Sequence, residues 1–215
     1  MWSDRLAGSL KIPLINADRM MLSILPEPKP PARTIPDWAA ELRDKNETWM
    51  EVAQQGVQGF VAIAMVKKVA FATETVFSHW VEHPDGKIES KIDAIRDLQK
   101  SGYFVVLLFV GLTSAILSIG RVMTRKAGGG HDVDYEKLIN RFPRTQKAIG
   151  QASIVADATI MMDNSRDEKN AFTVCRVQLK EKVLFDLRTS DKLTPVEIRP
   201  WLDDQSRSVV VHTHP

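Results

Sequence analysis

The clearest feature of the hydrophobic pattern is an uncharged run from Gly102 to Gly120, which reads GYFVVLLFVGLTSAILSIG. It holds eleven Leu, Ile, Val and Phe residues and no charged residue, Asn, Gln or Pro. As a helix, these nineteen residues would extend about 28 Å, which matches the hydrocarbon core of a bilayer. The eleven apolar residues contribute about −3 to −7 kcal/mol to membrane insertion. The pattern predicts one transmembrane helix over 102–120, because a chain of 215 residues rarely buries such a helix in a protein core.

Residues of two kinds support this predicted span. Small residues at positions i, i+3, i+4 and i+7 would share one helix face and predict close packing against a partner helix; they are Gly111, Ser114, Ala115 and Ser118. Basic and aromatic residues near predicted apolar segments are expected at the membrane interface; they are Lys67, Lys68, Lys100, Tyr103, Arg121, Arg125 and Lys126. Lys and Arg are nearly balanced on the two sides, so the orientation of the span stays open.

A second apolar segment, Val57 to Trp80, does not qualify as a span. Lys67, Lys68 and Glu74 lie inside it, and each charge costs about 2.5 to 3.5 kcal/mol at a bilayer centre. We expect a helix that lies at a membrane interface, with both lysines reaching toward water, or a helix buried in a protein core.

The regions around these segments predict a membrane-anchored α+β protein. Residues 1–36 form an N-terminal arm and a proline-rich strap, since five of the eleven prolines fall between Pro26 and Pro36. Residues 37–83 form a helical region, and residues 84–126 form an amphipathic helix that continues into the span. Glycines mark a hinge over 127–133. Residues 134–215 predict a small α+β domain, with a helix over 134–149, alternating strands such as 171–179, and an antiparallel sheet of three or four strands.

Composition and motifs exclude several classes of protein. The single cysteine rules out an intramolecular disulfide, and the formal charge of +2 gives no reason to expect nucleic acid. The common nucleotide, hydrolase and metal motifs are absent. Cys175 is expected to pack as a small apolar residue, and His212 and His214 to belong to a solvated tail. We therefore predict no catalytic residues, no cofactor, no metal and no small-molecule substrate.

These features favour a non-catalytic accessory subunit of a multi-subunit membrane complex, with other membrane-protein subunits and the lipid bilayer as partners. The mitochondrial inner membrane is the expected location, in a respiratory-chain or ATP-synthase type of complex. One span followed by a small α+β domain is also the layout of single-span assembly or translocation factors. A minor membrane-associated virion protein is the third alternative.

Overall fold

The computed structural model describes residues 11–27, 35–127, 134–190 and 194–207, with the side chains of 125–127 and 207 excepted. The chain divides into two compact units. The first contains residues 1–75 and 124–132, and the second contains residues 76–123 and 133–215.

The first unit is built around a long helix. Its elements are β1 (Leu14–Ile15), α1 (Ala17–Ser23), α2 (Asp37–Lys45), α3 (Glu47–Lys67) and β2 (Ala72–Thr73). Strands β1 and β2 form a short parallel pair. The Asn46 side chain accepts a hydrogen bond from the Trp49 amide and so caps the start of α3. The core between α1 and α3 consists of Ala17, Met21 and Ala53 with Trp49, Met50 and Val57.

The second unit has a four-stranded sheet and a separate hairpin. Its elements are β3 (Trp80–Glu82), β4 (Ile88–Ser90), α4 (Ile92–Lys100), β5 (Val106–Gly111), α5 (Ala115–Ala127), α6 (Tyr135–Val155), β6 (Ala158–Asp163), β7 (Thr173–Leu179), β8 (Lys182–Asp186) and α7 (Ile198–Arg207). Residues 124–127 at the end of α5 belong to the first unit. The sheet order is β5-β6-β7-β8. Strands β5 and β6 are parallel, whereas the other neighbours are antiparallel. Helices α5 and α6 lie in the long connection that a parallel pair requires.

The core of this unit lies between the sheet and its helices. Its main cluster joins the sheet to α6 and α7, and contains Ile149, Met161, Cys175, Leu187, Ile198, Trp201 and Leu202. A second cluster joins α4 to the end of α6 and contains Ile92, Ile95, Ala152 and Ala156. Two partly buried residues of β5, Leu107 and Phe109, pack against the main cluster. The run that predicted a membrane helix thus supplies part of a protein core.

The predicted transmembrane helix over 102–120 is wrong, and so are the single-span architecture and the integral membrane location. Gly102 has a positive φ of 84° and follows the end of α4, a conformation that glycine adopts without strain. The next residues form β5, and the Ser114 side chain then accepts a hydrogen bond from the Leu117 amide at the start of α5. Within the described residues, no helix has the length and apolar character needed to cross a membrane.

The C-terminal region also differs from its prediction. The sheet is mixed, not purely antiparallel, because β5 joins it in parallel beside β6. The helix predicted over 134–149 runs from Tyr135 to Val155, with Pro143 inside it. The pair His212 and His214 and residues 128–133 of the glycine hinge lie outside the described residues.

Candidate functional site

The carboxyl edge of β5 and β6 is the first place to look for a site, because α/β sheets commonly bind ligands beside the ends of their parallel strands. Here the two strand ends are bonded to each other. The Asn164 amide donates to the Gly111 carbonyl over 2.9 Å, and the Thr113 amide donates to Ser165 Oγ over 2.8 Å. The loops that follow β5 and β6 would have to separate to admit a ligand, and these hydrogen bonds connect them.

Charged side chains reinforce this edge. Asp163 is fully buried and accepts hydrogen bonds from Arg166 Nε over 2.9 Å and from the Ser165 amide over 2.8 Å. From α5, Arg121 Nη2 donates to the carbonyls of Asn164 and Arg166 over 3.0 and 2.9 Å. Since the Asp163 carboxylate, Arg166 Nε and Arg121 Nη2 all bond to protein groups, we interpret the edge as a structural latch.

The residues predicted to form a helix-packing face belong to two elements. Gly111 ends β5, Ser114 lies just before α5, and Ala115 and Ser118 lie in the first turns of α5. A Cβ atom on Gly111 would lie 2.2 Å from Cζ2 of Trp201, whose Nε1 donates to Gln146 Oε1 over 3.0 Å. Gly111 therefore leaves room for an indole ring of α7.

The residues predicted at a membrane interface are spread over both units. In the first unit, Lys67 ends α3 and Lys68 is its left-handed C-cap, with φ of 54°. In the second unit, Lys100 pairs with Asp97 over 3.0 Å, Tyr103 lies between α4 and β5, and Arg121 belongs to the latch. Arg125 and Lys126 lie in α5, and their side chains are outside the described part of the chain.

Cys175 is buried inside the sheet. Burial raises the pKa of its thiol to about 11, and the nearby Asp163 carboxylate adds to this effect. A thiol with this pKa stays protonated near neutral pH and is a poor nucleophile. Within the described ranges, no group of three or more His, Cys, Asp or Glu residues is placed to hold a metal ion.

An ionic cluster joins the end of β8 to α7. Arg188 donates through Nε to Asp186 Oδ1 over 2.9 Å and through Nη1 to Asp203 Oδ1 over 2.7 Å. Burial favours a raised pKa for the Asp186 carboxyl, but the hydrogen bonds and charge of Arg188 outweigh burial and leave this pKa below its ordinary value. This geometry fixes α7 on the sheet.

A basic cleft lies beside the hairpin of β3 and β4. It has a volume of about 460 Å³, and its lining includes five basic residues, namely His79, Lys91, Lys137, Arg141 and Arg144. Trp80 forms part of the wall, and its ring centroid lies 4.9 Å from Nζ of Lys147. The chemistry of this cleft suits an anion.

A further candidate site is an apolar face on α3. The side chains of Val52, Phe60, Ile63 and Val66 are 59%, 60%, 60% and 74% exposed. At 100° per residue they fall within an arc of about 120°, together with Gly59, and Phe60 lies at the edge of this arc next to the buried Ala53 and Ala64. We call Val52, Gly59, Phe60, Ile63 and Val66 the apolar face of α3.

Comparisons with known proteins identify no relative. No protein-family model matches the chain, and no curated protein or solved structure is significantly similar to it. The functional argument therefore depends on the geometry of these surfaces.

Sequence analysis missed both surfaces as sites. It recognised Val57 to Trp80 as apolar, but it did not separate an exposed face from a buried one, although Val52, Phe60, Ile63 and Val66 recur at helical spacing. The cleft gave a weaker signal, the spacing of Lys137, Arg141 and Arg144 at i, i+4 and i+7 on α6. Its other wall comes from residues about fifty positions earlier in the chain, and no local pattern connects the two.

Proposed function

We propose that this chain is a non-catalytic structural subunit that docks on a second copy of itself through the apolar face of α3. The observation that carries the proposal is the exposure of Val52, Phe60, Ile63 and Val66, each more than half exposed on one side of one helix. Contiguous apolar surface of this kind is a common mark of an interaction site.

The layout of the face suits an antiparallel copy of the same helix. Val52 and Val66 each lie seven residues, or about two turns, from Gly59. A two-fold axis beside Gly59 would therefore bring Val52 opposite the partner's Val66. A Cβ on Gly59 would meet nothing within 4 Å, so this glycine leaves open space where two helices would cross.

Charge at the two ends of α3 favours the same arrangement. Glu47 and Glu51 lie in its first turns, and Lys67 and Lys68 lie at its end. An antiparallel pair brings acidic ends near basic ends, whereas a parallel pair brings like charges together.

A lipid surface fits the apolar face of α3 less well than a second copy of the chain does. Helices that lie on membranes usually carry Lys and Arg along the polar side next to the apolar face. On α3, the exposed polar residues between Val52 and Phe60 are the uncharged Gln54, Gln55 and Gln58. Its lysines are confined to the C-terminal end.

The size of the face sets the expected strength of the contact. From Val52 to Val66 the helix rises about 21 Å, and a helix face is about 10 Å wide. The resulting footprint of about 200 Å² per copy is well below the ~800 Å² per partner of a standard stable interface. We therefore expect a reversible dimer with a dissociation constant of about 10 μM or weaker.

Sedimentation velocity over about 5 to 500 μM tests the proposal with the chain itself. The wild-type chain should show a concentration-dependent shift from monomer to dimer. Phe60→Asp and Ile63→Asp should remain monomeric, because each buries a charge in the face. Gln54→Asp places the same charge on another exposed part of α3 and should dimerise like the wild type.

Two results would contradict the proposal that a second copy of the chain binds the apolar face of α3. One is a wild-type chain that stays monomeric at the highest concentration. The other is equal dimerisation of Phe60→Asp, Ile63→Asp and Gln54→Asp. Flotation with neutral and anionic lipid vesicles, run in parallel, assigns the face to lipid if a monomeric chain binds and Phe60→Asp does not. Equal urea midpoints for the variants would exclude misfolding as the cause.

A further inference from the structure

We propose that the basic cleft of the second unit binds a small phosphate-bearing ligand with several negative charges, of the size of a nucleotide. The cleft volume of about 460 Å³ lies within the ~300–1,000 Å³ of typical small-molecule sites. This site is separate from the apolar face of α3, so either proposal can fail without the other.

The charge of the cleft comes mainly from one stripe on α6. Lys137, Arg141 and Arg144 follow i, i+4, i+7 spacing and all line the cleft. Like charges at this spacing destabilise a helix by a few tenths of a kcal/mol per pair. A multiply charged anion bound between them would remove this repulsion.

The lining of the cleft is basic and not acidic. None of the residues that line it is Asp or Glu. Of the acids on the adjacent hairpin, Glu89 accepts from His79 over 2.7 Å, and Glu82 accepts from Trp80 Nε1 over 2.8 Å and also from Lys147. Glu89 therefore pairs with His79 and not with the basic residues of α6.

Lys91 adds a cation on the hairpin side of the cleft. It is half-buried, and burial lowers the pKa of its amine below the ordinary lysine value. An anion in the cleft would stabilise the charged amine and raise this pKa. Arginine guanidinium groups, such as those of Arg141 and Arg144, also match phosphate oxygens in bidentate geometry.

The dimensions favour a small ligand over a nucleic-acid strand. From Lys137 to Arg144 the helix rises only about 10 Å. Single-strand sites follow about 4 to 16 nucleotides of backbone along a positively charged groove. A short polyphosphate brings its charges together within the length of this stripe.

Isothermal titration calorimetry at low salt tests the inference, with ATP, adenosine and a 15-nucleotide thymidine strand as probes. ATP should bind and adenosine should not, and raising the salt should weaken ATP binding. Arg141→Ala and Arg144→Ala should each weaken ATP binding about tenfold or more, because each removes charge-assisted hydrogen bonds. Alanine preserves the helix, and circular dichroism checks this. Lys169→Ala removes an exposed charge outside the cleft and should leave ATP binding within twofold.

An independent readout comes from Lys91. If ATP binds beside it, the protein should take up protons on binding at alkaline pH, measured by titration in two buffers of different ionisation enthalpy. Lys91→Met should abolish this uptake.

The inference is overturned if ATP gives no binding at millimolar concentration, or if adenosine binds as well as ATP. It is also overturned if the two arginine variants bind ATP like Lys169→Ala. A thymidine strand that binds at least tenfold more tightly than ATP, with both arginines required, would assign the cleft to single-stranded nucleic acid instead.

Discussion

Replacing Gly111 with alanine tests the structure, because residues 102–120 could form a continuous helix or a strand followed by a helix. The two alternatives predict changes of opposite sign in the free energy of unfolding. In a continuous helix, Gly→Ala stabilises by up to about 1 kcal/mol, since alanine has the higher helix propensity. In the structure, Gly111 ends β5, and an added Cβ would lie 2.2 Å from Cζ2 of Trp201 and 2.9 Å from Cε1 of Phe109.

The Trp201 ring has little freedom to move away. It is 4% exposed, its Nε1 donates to Gln146 Oε1 over 3.0 Å, and it stacks with Phe109 at a centroid distance of 6.0 Å. Overpacking a well-packed core costs about 1 to 3 kcal/mol. Because the contact of 2.2 Å must open by more than an ångström, we expect Gly111→Ala to cost about 3 kcal/mol.

Gly120→Ala is the matched control from the same segment. Gly120 lies inside α5, and a Cβ there would meet nothing within 4 Å. We expect this variant to gain about 0.5 to 1 kcal/mol. Urea unfolding followed by circular dichroism gives both changes in the free energy of unfolding. The comparison requires that this free energy depend on urea concentration with the same slope in all the proteins. If both variants gain stability, Gly111 does not pack on Trp201 and the placement of β5 is refuted.

Three further predictions concern polar groups of the second unit. Arg188→Met should lower the free energy of unfolding by about 3 kcal/mol at pH 7, because Asp186 then keeps a buried charge without its cation. This deficit should shrink at pH 3, where Asp186 becomes protonated in the variant. Cys175 should react with a thiol reagent in the folded protein at pH 8 only through opening of the structure, because burial raises the pKa of its thiol to about 11. Asp157→Ala should cost about 1 to 2 kcal/mol in urea unfolding, because the Val105 amide loses its acceptor at 2.9 Å.

Each of these predictions has a control and a contrary outcome. Arg96→Met removes an ion pair whose side chains are 51% and 48% exposed, so it should cost less than about 1 kcal/mol; an equal cost for Arg188→Met would contradict the buried network. Immediate labelling of Cys175 without denaturant would contradict its burial. For Asp157, the hydrogen bonds from the Val105 amide and the Gln99 side chain lower the carboxyl pKa. Its stabilising contribution should therefore be lost as the pH falls through that lowered pKa, and a wild-type advantage over Asp157→Ala that stays constant as the pH falls would contradict this.

The sequence predicts some elements of this fold well. The alternation of Phe172, Val174, Val177 and Leu179, with one slip around Cys175, predicts a strand, and the structure has β7 over Thr173–Leu179. The helix predicted from residue 134 is present as α6. In both cases the pattern is local and repeats over several residues, so one segment is enough to indicate the element.

The error over 102–120 arises because an uncharged apolar run fits a membrane helix and a buried strand followed by a helix equally well. Two local signals distinguish them. Thr113 and Ser114 divide the run at a helix N-cap, and the β-branched and aromatic residues concentrate before them, from Tyr103 to Val110. The partner strand β6 begins about fifty residues after β5 in the sequence, so the pairing that stabilises β5 has no local signature.

The candidate sites were harder to predict for a related reason. Whether Phe60 and Ile63 are exposed depends on which side of α3 receives α1, and this contact is made through Met21 and Ala53. The cleft requires α6 and the hairpin of β3 and β4 to lie side by side. Both sites are properties of tertiary packing and not of any one segment.

The central claim is that residues 106–111 form a strand paired in parallel with β6 and not part of a membrane helix. Backbone nuclear Overhauser effects in the isotopically labelled chain measure this pairing directly. The structure predicts interstrand contacts around the pairs Leu108 with Ile160 and Phe109 with Met161. Strong sequential amide contacts that run unbroken from Gly102 to Gly120, without any contact to residues 158–163, would contradict it.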